Sequence, residues 1–415
     1  MPNRAQLLVV AYDLPPYLQP QAIQIGRLLD RLADAYRLFA VTADDTGSRK
    51  DPTLYAGLDR KFAAQIRLPY SATFLPLLLR KIFFPPFRMP DERRYWHRRA
   101  FRRVVEQWSQ ERFDGIVTFS YPLSSNLLGM QLKQRLKAPW TAFFSDPWVD
   151  SPYTRYRLMF RAINNALEKR TMTEADQLVF ASREMHDAYV RKYPFIRHKA
   201  SALEHSFEPG SYPGRTERRD GPVVFRYLGT LNRVRTPYAL LHAVGDLASR
   251  DVLSGKDARF EFYGGTDIPC GMVMKRLIRR YGLQEIVQMK GSVPYRESLA
   301  VMQGADVLLV IDADIPGSVF LPSKLIDYVG AGRPVLGITP SDSASARVIR
   351  QAGGWVVRPG DSAEFARTLE RILAAAGNNT LERHCPPRDL RDSYSIENRA
   401  KEAEQVIGRL ILKAN

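Results

Sequence analysis

The sequence predicts an α/β protein built from two doubly wound parallel-sheet domains. Three observations predict it. From residue 7 onward, short apolar runs alternate with stretches of helical periodicity. That alternation breaks off in a polar stretch at 208–222 and then restarts. The chain is also 415 residues long, more than one core ordinarily serves and enough for two.

The first domain is expected at 1–207. Leu7 to Tyr12 is an apolar run, read as a buried strand, and a proline-rich loop from Asp13 to Pro20 follows. Ile23, Ile25, Leu28, Leu29 and Leu32 then recur at helical spacing, and Leu38 to Thr42 is a second apolar run. Strand, loop, helix and strand make a βαβ unit. Further strands are expected at Ile116–Phe119, Thr141–Phe144 and Leu178–Ala181. Residues 208–222 hold three prolines, three glycines and six charged residues, so they read as a linker.

The second domain is expected at 223–390. Its strands fall at Val223–Leu228, Phe260–Tyr263, Ile286–Met289, Val307–Ile311, Pro334–Ile338 and Gly354–Val357. Helical patterns lie around Tyr238–Leu247, Met272–Tyr281 and Ser323–Val329. Residues 391–415 read as helix, expected to cross back onto the first domain. Two such domains favour a central cleft, and ligands of these sheets bind at the carboxyl ends of strands.

Composition narrows the class. Apolar residues make up 45% and charged residues 25%, normal for a folded chain. Two cysteines, Cys270 and Cys385, supply neither a disulfide framework nor a metal-ligand set. No metal or other cofactor is expected. No stretch approaches the roughly 20 apolar residues that span a bilayer, so a cytoplasmic protein is expected, or one on the inner face of the cytoplasmic membrane. The net charge of +17 permits nucleic acid, an anionic membrane or phosphorylated partners. With no recognised nucleic-acid module in the chain, nucleic acid is not expected.

The segment richest in chemistry runs from Leu321 to Leu336, LPSKLIDYVGAGRPVL. Pro322 and Ser323 mark a helix start, and Gly332 and Pro334 its end. Free N–H groups at a helix start attract phosphate. Lys324 adds a positive charge there, and Asp327, one turn on, offers a carboxylate suited to a ribose diol. The same residues also fit a plain helix–strand connection with a solvated lysine and aspartate.

This segment resembles the nucleotide-sugar motif of retaining family-four glycosyltransferases of the GT-B fold, a bacterial polysaccharide type. That motif has two glutamates with seven residues between them, then a short helix and Gly-x-Pro-Val. With Gly332-Arg333-Pro334-Val335 at its end, Asp327 falls on the second glutamate and Val319 on the first. The resemblance implies two Rossmann-like domains facing a cleft, with Pro322, Ser323, Leu325 and Asp327 on the donor and no carboxylate at Val319. Tyr227-Leu228-Gly229-Thr230-Leu231-Asn232-Arg233-Val234-Arg235 resembles the family's diphosphate-clamping loop. Arg235 falls on its lysine, Thr230 replaces its arginine, and Arg233 lies nearby. Gly264 and Gly265, after a strand, resemble the turn the nucleotide approaches, and Ser292 and Val293 lie in the loop that frames the base. The pieces occur in the family's order.

On the acceptor side the resemblance implies Pro16, Ser120 and Asn126, with Asp146 as the carboxylate of that domain. Arg235, Lys324 and Asp146 are the residues expected to carry the chemistry. The expected activity is transfer of a hexose-type sugar from a nucleotide diphosphate sugar to a lipid-linked saccharide or similar acceptor in cell-surface polysaccharide assembly, with retention. The alternatives are a catalytically weak binding or scaffold protein of the same fold at the membrane, or a nucleotide-sugar epimerase. Arg80 to Arg103 holds nine basic residues against Asp91 and Glu92, with Phe101, Val104, Val105 and Trp108 at helical spacing. It reads either as a solvated basic face over a core stripe or as a dock for an anionic membrane surface.

Overall fold

The structure, a computed structural model, describes residues 4–45, 49–70, 89–91, 93–154, 156–214, 220–266 and 268–414. The chain divides into two compact units, Met1–His205 with Ile396–Asn415, and Ser206–Ser395.

Unit 1 runs β1 (Gln6–Ala11), α1 (Pro20–Ala35), β2 (Arg37–Asp45), α2 (Leu58–Lys61), β3 (Ala64–Tyr70), α3 (Arg94–Trp108), β4 (Gly115–Ser120), α4 (Ser124–Leu136), β5 (Trp140–Phe144), α5 (Leu158–Glu174), β6 (Gln177–Phe180), α6 (Arg183–Lys192) and β7 (Ala200–Ala202). Its seven strands are parallel, in the order β3-β2-β1-β4-β5-β6-β7. Two strands go unread in the sequence, β3 and β7, and both are edges. β3 buries only Ile66 and Leu68 and carries Arg67 and Pro69. β7 is three residues long and fully buries none of them. Edge strands of this kind lack the continuous apolar run that marks a central parallel strand.

Unit 2 runs β8 (Val223–Leu228), α7 (Tyr238–Ser249), β9 (Ala258–Tyr263), α8 (Ile268–Arg280), β10 (Val287–Gly291), α9 (Tyr295–Gln303), β11 (Val307–Ile311), α10 (Ser323–Ala331), β12 (Val335–Ile338), α11 (Ala344–Gln351), β13 (Trp355–Val357), α12 (Ser362–Gly377) and α13 (Arg388–Tyr394). The sheet order is β10-β9-β8-β11-β12-β13, all parallel. β11 shows why the segment reads so clearly. Val307, Leu309 and Ile311 pack on one side with α7, α8 and α12, while Leu308 and Val310 pack on the other with α9, α10 and α11. A strand covered on both faces is apolar at every position.

The last helix, α14 (Ile396–Ala414), belongs to unit 1. Ile396, Ala400, Ala403 and Ile407 join Leu28, Leu29 and Leu32 of α1 in one core. The polar stretch read as a linker is less free than its composition suggests. Tyr212 donates its hydroxyl to the Asp327 carbonyl at 2.8 Å, and the Gly214 N–H donates to Gln303 Oε1 at 3.0 Å. Residues 215–219 lie outside the described residues.

The basic segment is described only in part, since 80–88 and 92 lie outside the described residues. α3 buries Trp96, His97, Ala100, Val104 and Trp108 and exposes Arg98, Arg99, Arg102 and Arg103. Phe101 and Val105, expected on the buried stripe, sit half-buried at its margin. Asp91 is no part of a solvated face. Its carboxylate accepts the Ser124 N–H at 2.8 Å and the Ser124 hydroxyl at 2.6 Å, capping α4. Burial raises its pKa against those bonds. Among the described residues, no helix is long and apolar enough to cross a membrane.

Candidate donor site

In unit 2 the strand order reverses between β8 and β11, and the loops after these two strands form the natural ligand crevice of such a sheet. Gly229, Gly264 and Lys324, three of the residues singled out in the sequence, come together there. Gly229 follows β8 with φ +143°, and Gly264 follows β9 with φ +121°. The Gly229 N–H donates to the Tyr263 carbonyl at 2.9 Å, and the Gly264 N–H to the Gly291 carbonyl at 2.7 Å. A Cβ on Gly264 would stand 2.2 Å from the Gly229 carbonyl oxygen. A Cβ on Gly229 would stand 2.9 Å from Lys324 Nζ. The two turns are therefore packed backbone against backbone at Gly264, and the lysine side chain lies against Gly229.

Lys324 lies in the first turn of α10. Pro322 is the N-cap, with no side-chain cap bond, and the first turn carries no acid. The leading N–H groups of α10 and the lysine thus present positive charge together. The Lys324 ammonium sits 3.9 Å from the Tyr227 ring centroid. Burial, with Arg235 beside it, pulls its pKa down to about 7 against the opposing pull of Asp312. Tyr227 is itself buried and donates its hydroxyl to the Thr230 carbonyl at 3.2 Å.

Arg235 is half-buried and Arg233 exposed. Asn232 fixes the turn between them, its Oδ1 accepting the N–H groups of Val234 and Arg235 at 3.1 and 3.0 Å. Thr230, Gly265 and Ser292 are exposed, and Val293, Pro322 and Ser323 are half-buried. Leu325 is fully buried beneath α10, and Asp327, one turn beyond Lys324, is nearly so. Val319 is half-buried in the loop before α10. A cavity of about 750 Å³ opens beside these loops, lined by Asp314, Pro316, Asp342 and Arg358 among others, but not by Gly229, Gly264 or Lys324.

The residues expected in unit 1 separate into two kinds. Asp146 is half-buried in the loop after β5, where its carboxylate accepts the Ser145 hydroxyl at 2.6 Å. Two residues on, that loop is pinned. The Trp148 N–H donates to the Tyr189 hydroxyl at 2.8 Å, Trp148 Nε1 to Asn164 Oδ1 at 2.8 Å, and the Val149 N–H to Glu168 Oε2 at 3.0 Å. Glu168 is fully buried and also binds Lys192, Tyr193 and Tyr189. Pro16 is half-buried, and its carbonyl accepts the Asp51 N–H at 2.8 Å.

Ser120 and Asn126, expected on the acceptor side, are both buried. The Ser120 hydroxyl donates to the Phe143 carbonyl at 3.1 Å. Asn126 is fully buried, and its Oδ1 accepts the Thr118 hydroxyl at 2.6 Å. Thr118 in turn accepts from Trp140 Nε1 at 2.9 Å. These residues build the junction of β4, α4 and β5.

Sequence reasoning misses Tyr227, Tyr328, Asp312 and Glu168. Tyr227 occupies an inward position of a strand and reads as core. Tyr328 also reads as core, yet its hydroxyl accepts the Leu228 N–H at 2.8 Å and holds the end of β8. Asp312 gives its signal only by lying one residue past a central strand, at the carboxyl edge.

Two family models match the chain. One, the glycosyl transferase 4-like domain, covers residues 22–204. The other, glycosyl transferases group 1, covers 222–375. Between them they span most of both units, and the chain is a glycosyltransferase of the GT-B fold that uses a nucleotide-sugar donor. No curated protein matches it by sequence. Solved structures share the fold at low identity. Sucrose-phosphate synthase of Thermosynechococcus elongatus is similar with a TM-score of 0.69 and 16% identity, over 99% of this chain and 100% of that one. HepE of Anabaena, solved with UDP and glucose, has a TM-score of 0.68 and 12% identity, over 98% and 100%. The lipopolysaccharide outer core galactosyltransferase WaaB has a TM-score of 0.64 and 12% identity, over 97% and 99%.

Proposed function

We propose that the protein transfers a hexose-type sugar from a nucleoside diphosphate sugar to a lipid-linked saccharide or similar acceptor, with retention, in cell-surface polysaccharide assembly. The observation that carries the donor half is the convergence of Gly229, Gly264 and Lys324 at the reversal of strand order. The donor diphosphate lies against the two glycine turns and the start of α10. Lys324 and Arg235 balance the charge that grows on it as the glycosidic bond breaks. The leaving oxygen then accepts the proton of the acceptor hydroxyl on the same face, and holding both reactants in place supplies the rest. Two adjacent cations make a bound metal unnecessary for charge balance. Asp327 is assigned to the ribose, and Asp146 to a sugar hydroxyl. HepE was solved with UDP and glucose, so a uridine diphosphate hexose is the first donor to test.

The acceptor half rests on WaaB, a lipopolysaccharide galactosyltransferase by name, and on the surface of unit 1. The arginines of α3 are exposed. At the start of α5, Leu158 and Met159 are exposed between Arg157 and Arg161. Apolar tips among arginines suit an anionic bilayer, at about 1 kcal/mol per basic residue near its surface. On this reading the enzyme works at the inner face of the cytoplasmic membrane. A second reading, a binding or scaffold protein, is favoured by Val319 standing where a carboxylate would contact the donor sugar.

The test incubates the full chain with UDP, GDP and ADP hexoses and lipid-linked saccharide acceptors. Sugar transfer that disappears in Asp327→Ala and Arg235→Ala supports the enzyme. Tight nucleotide binding without turnover on any acceptor supports the scaffold.

A further inference from the structure

The Lys324 ammonium, which packs against Gly229, rests on Tyr227, the last residue of β8 to face the core shared with α7, α8 and α12, beside Phe262 at a ring distance of 5.9 Å. Its ring faces the ammonium at 3.9 Å, within cation–π range. Its hydroxyl fixes the carbonyl of Thr230, the residue after Gly229. One side chain thus holds both the cation and the turn. Resting on the donor reading above, we propose that Tyr227 is a positioning residue for the donor: its ring aims the Lys324 ammonium at the diphosphate, and its hydroxyl sets the turn against which the phosphates lie.

The surroundings explain why the support is needed. The charged groups facing the ammonium are Arg235, from the loop after β8, and Asp312, from the end of β11. Asp312 also accepts the Thr339 hydroxyl at 2.9 Å. Burial and Arg235 both work against the charged form, and the lysine's pKa lies at about 7. A diphosphate favours the charged form, so its binding takes up a proton when pH exceeds that value. Affinity for a diphosphate should therefore fall as pH rises from 7 to 9, although UDP itself gains a little charge at its terminal phosphate in the lower part of that range. Removing the ring withdraws a contact that favours the ammonium and moves the onset of this fall to lower pH.

The experiment measures UDP affinity by calorimetry on the full chain across that pH range. It uses wild type, Tyr227→Phe, Tyr227→Leu and an isosteric Tyr227→pentafluoro-Phe whose ring repels a cation. Wild type should lose about tenfold or more in affinity between pH 7 and 9. Tyr227→Phe should keep that profile with a loss of about threefold at every pH, from the freed turn. Tyr227→Leu and the pentafluoro variant should lose about tenfold or more at pH 7 and shift the onset downward. Should Tyr227→Leu fail to fold, the pentafluoro ring, which keeps the shape, decides against Tyr227→Phe. Equal affinity and equal pH profile for the pentafluoro and Phe variants overturn the proposal. A wild type that binds none of UDP, GDP or ADP overturns the donor reading itself, and this inference with it.

Discussion

Replacing Lys324 by methionine separates the cost of the donor site from its use. The lysine's pKa falls from the ordinary 10.5 to about 7. At about 1.36 kcal/mol per pKa unit, that displacement costs the folded state as much as ~5 kcal/mol at neutral pH. Methionine keeps an unbranched apolar stem against Tyr227 and removes the ammonium, but loses the contact with the ring, about 2 kcal/mol when desolvated. Lys324→Met should therefore raise the stability of unit 2 by roughly 1–3 kcal/mol at pH 6.5. The sign of the pH dependence follows from the depressed folded value. Between 7 and 10.5 the unfolded chain binds the proton more than the folded chain, so wild-type stability rises across that window and the variant's advantage shrinks. Urea unfolding at pH 6.5 and 9, with and without UDP, reads all of this. The variant should be the more stable without UDP, lose that lead by pH 9, and gain nothing from UDP. Wild type should gain about 2.7 kcal/mol at 100 times its dissociation constant. A variant less stable than wild type at pH 6.5, or a gap that does not narrow by pH 9, would refute the reasoning.

Gly264→Ala forces a Cβ to 2.2 Å from the Gly229 carbonyl at a φ of +121°. It should cost roughly 2–4 kcal/mol in unit 2 by denaturant titration and abolish UDP binding by calorimetry. Arg235→Ala removes a phosphate contact and also relieves Lys324. UDP affinity at pH 7 should fall about tenfold or more, while its decline toward pH 9 becomes shallower than in wild type. Glu168→Ala strands Lys192, Tyr189, Tyr193 and the Val149 N–H around a lost carboxylate. It should destabilise unit 1 by about 3–5 kcal/mol in chemical denaturation, with Glu168→Gln less severe. UDP affinity should stay within about twofold, because the groups assigned to the nucleotide and its diphosphate all lie in unit 2.

How much of this was legible in the sequence follows from where information is local. Central parallel strands are largely apolar, so β1, β4, β8 and β11 announce themselves. The short edges β3 and β7 do not. The glycines at 229 and 264 and the lysine at 324 were legible as separate motifs, because each needs a special backbone or a charge. Their packing against one another was not, since it joins residues 35 to 95 positions apart. Tyr227 was hidden for another reason: a buried aromatic on a strand has an ordinary role in the core, and only the contact with Lys324 gives it a second one. Ser120 and Asn126 show the limit from the opposite direction, because burial is not legible in sequence. Polar residues at the carboxyl edge of a strand suggest a ligand, yet these two are enclosed, with the Ser120 hydroxyl on Phe143 and Asn126 Oδ1 on Thr118.

The placement of α14 carries a consequence for how the protein is made. Unit 2 is one continuous stretch, Ser206–Ser395, and the strands of chain that enter and leave it pair through Phe207 and Ser395. Unit 1 is interrupted by it and owes Ile396, Ala400, Ala403 and Ile407 of its core to the far side of the interruption. On the ribosome, domains ordinarily mature in the order of their synthesis. Here unit 1, begun first, can complete its core only after all of unit 2 has been synthesised, and until then part of the apolar face of α1 lacks its cover.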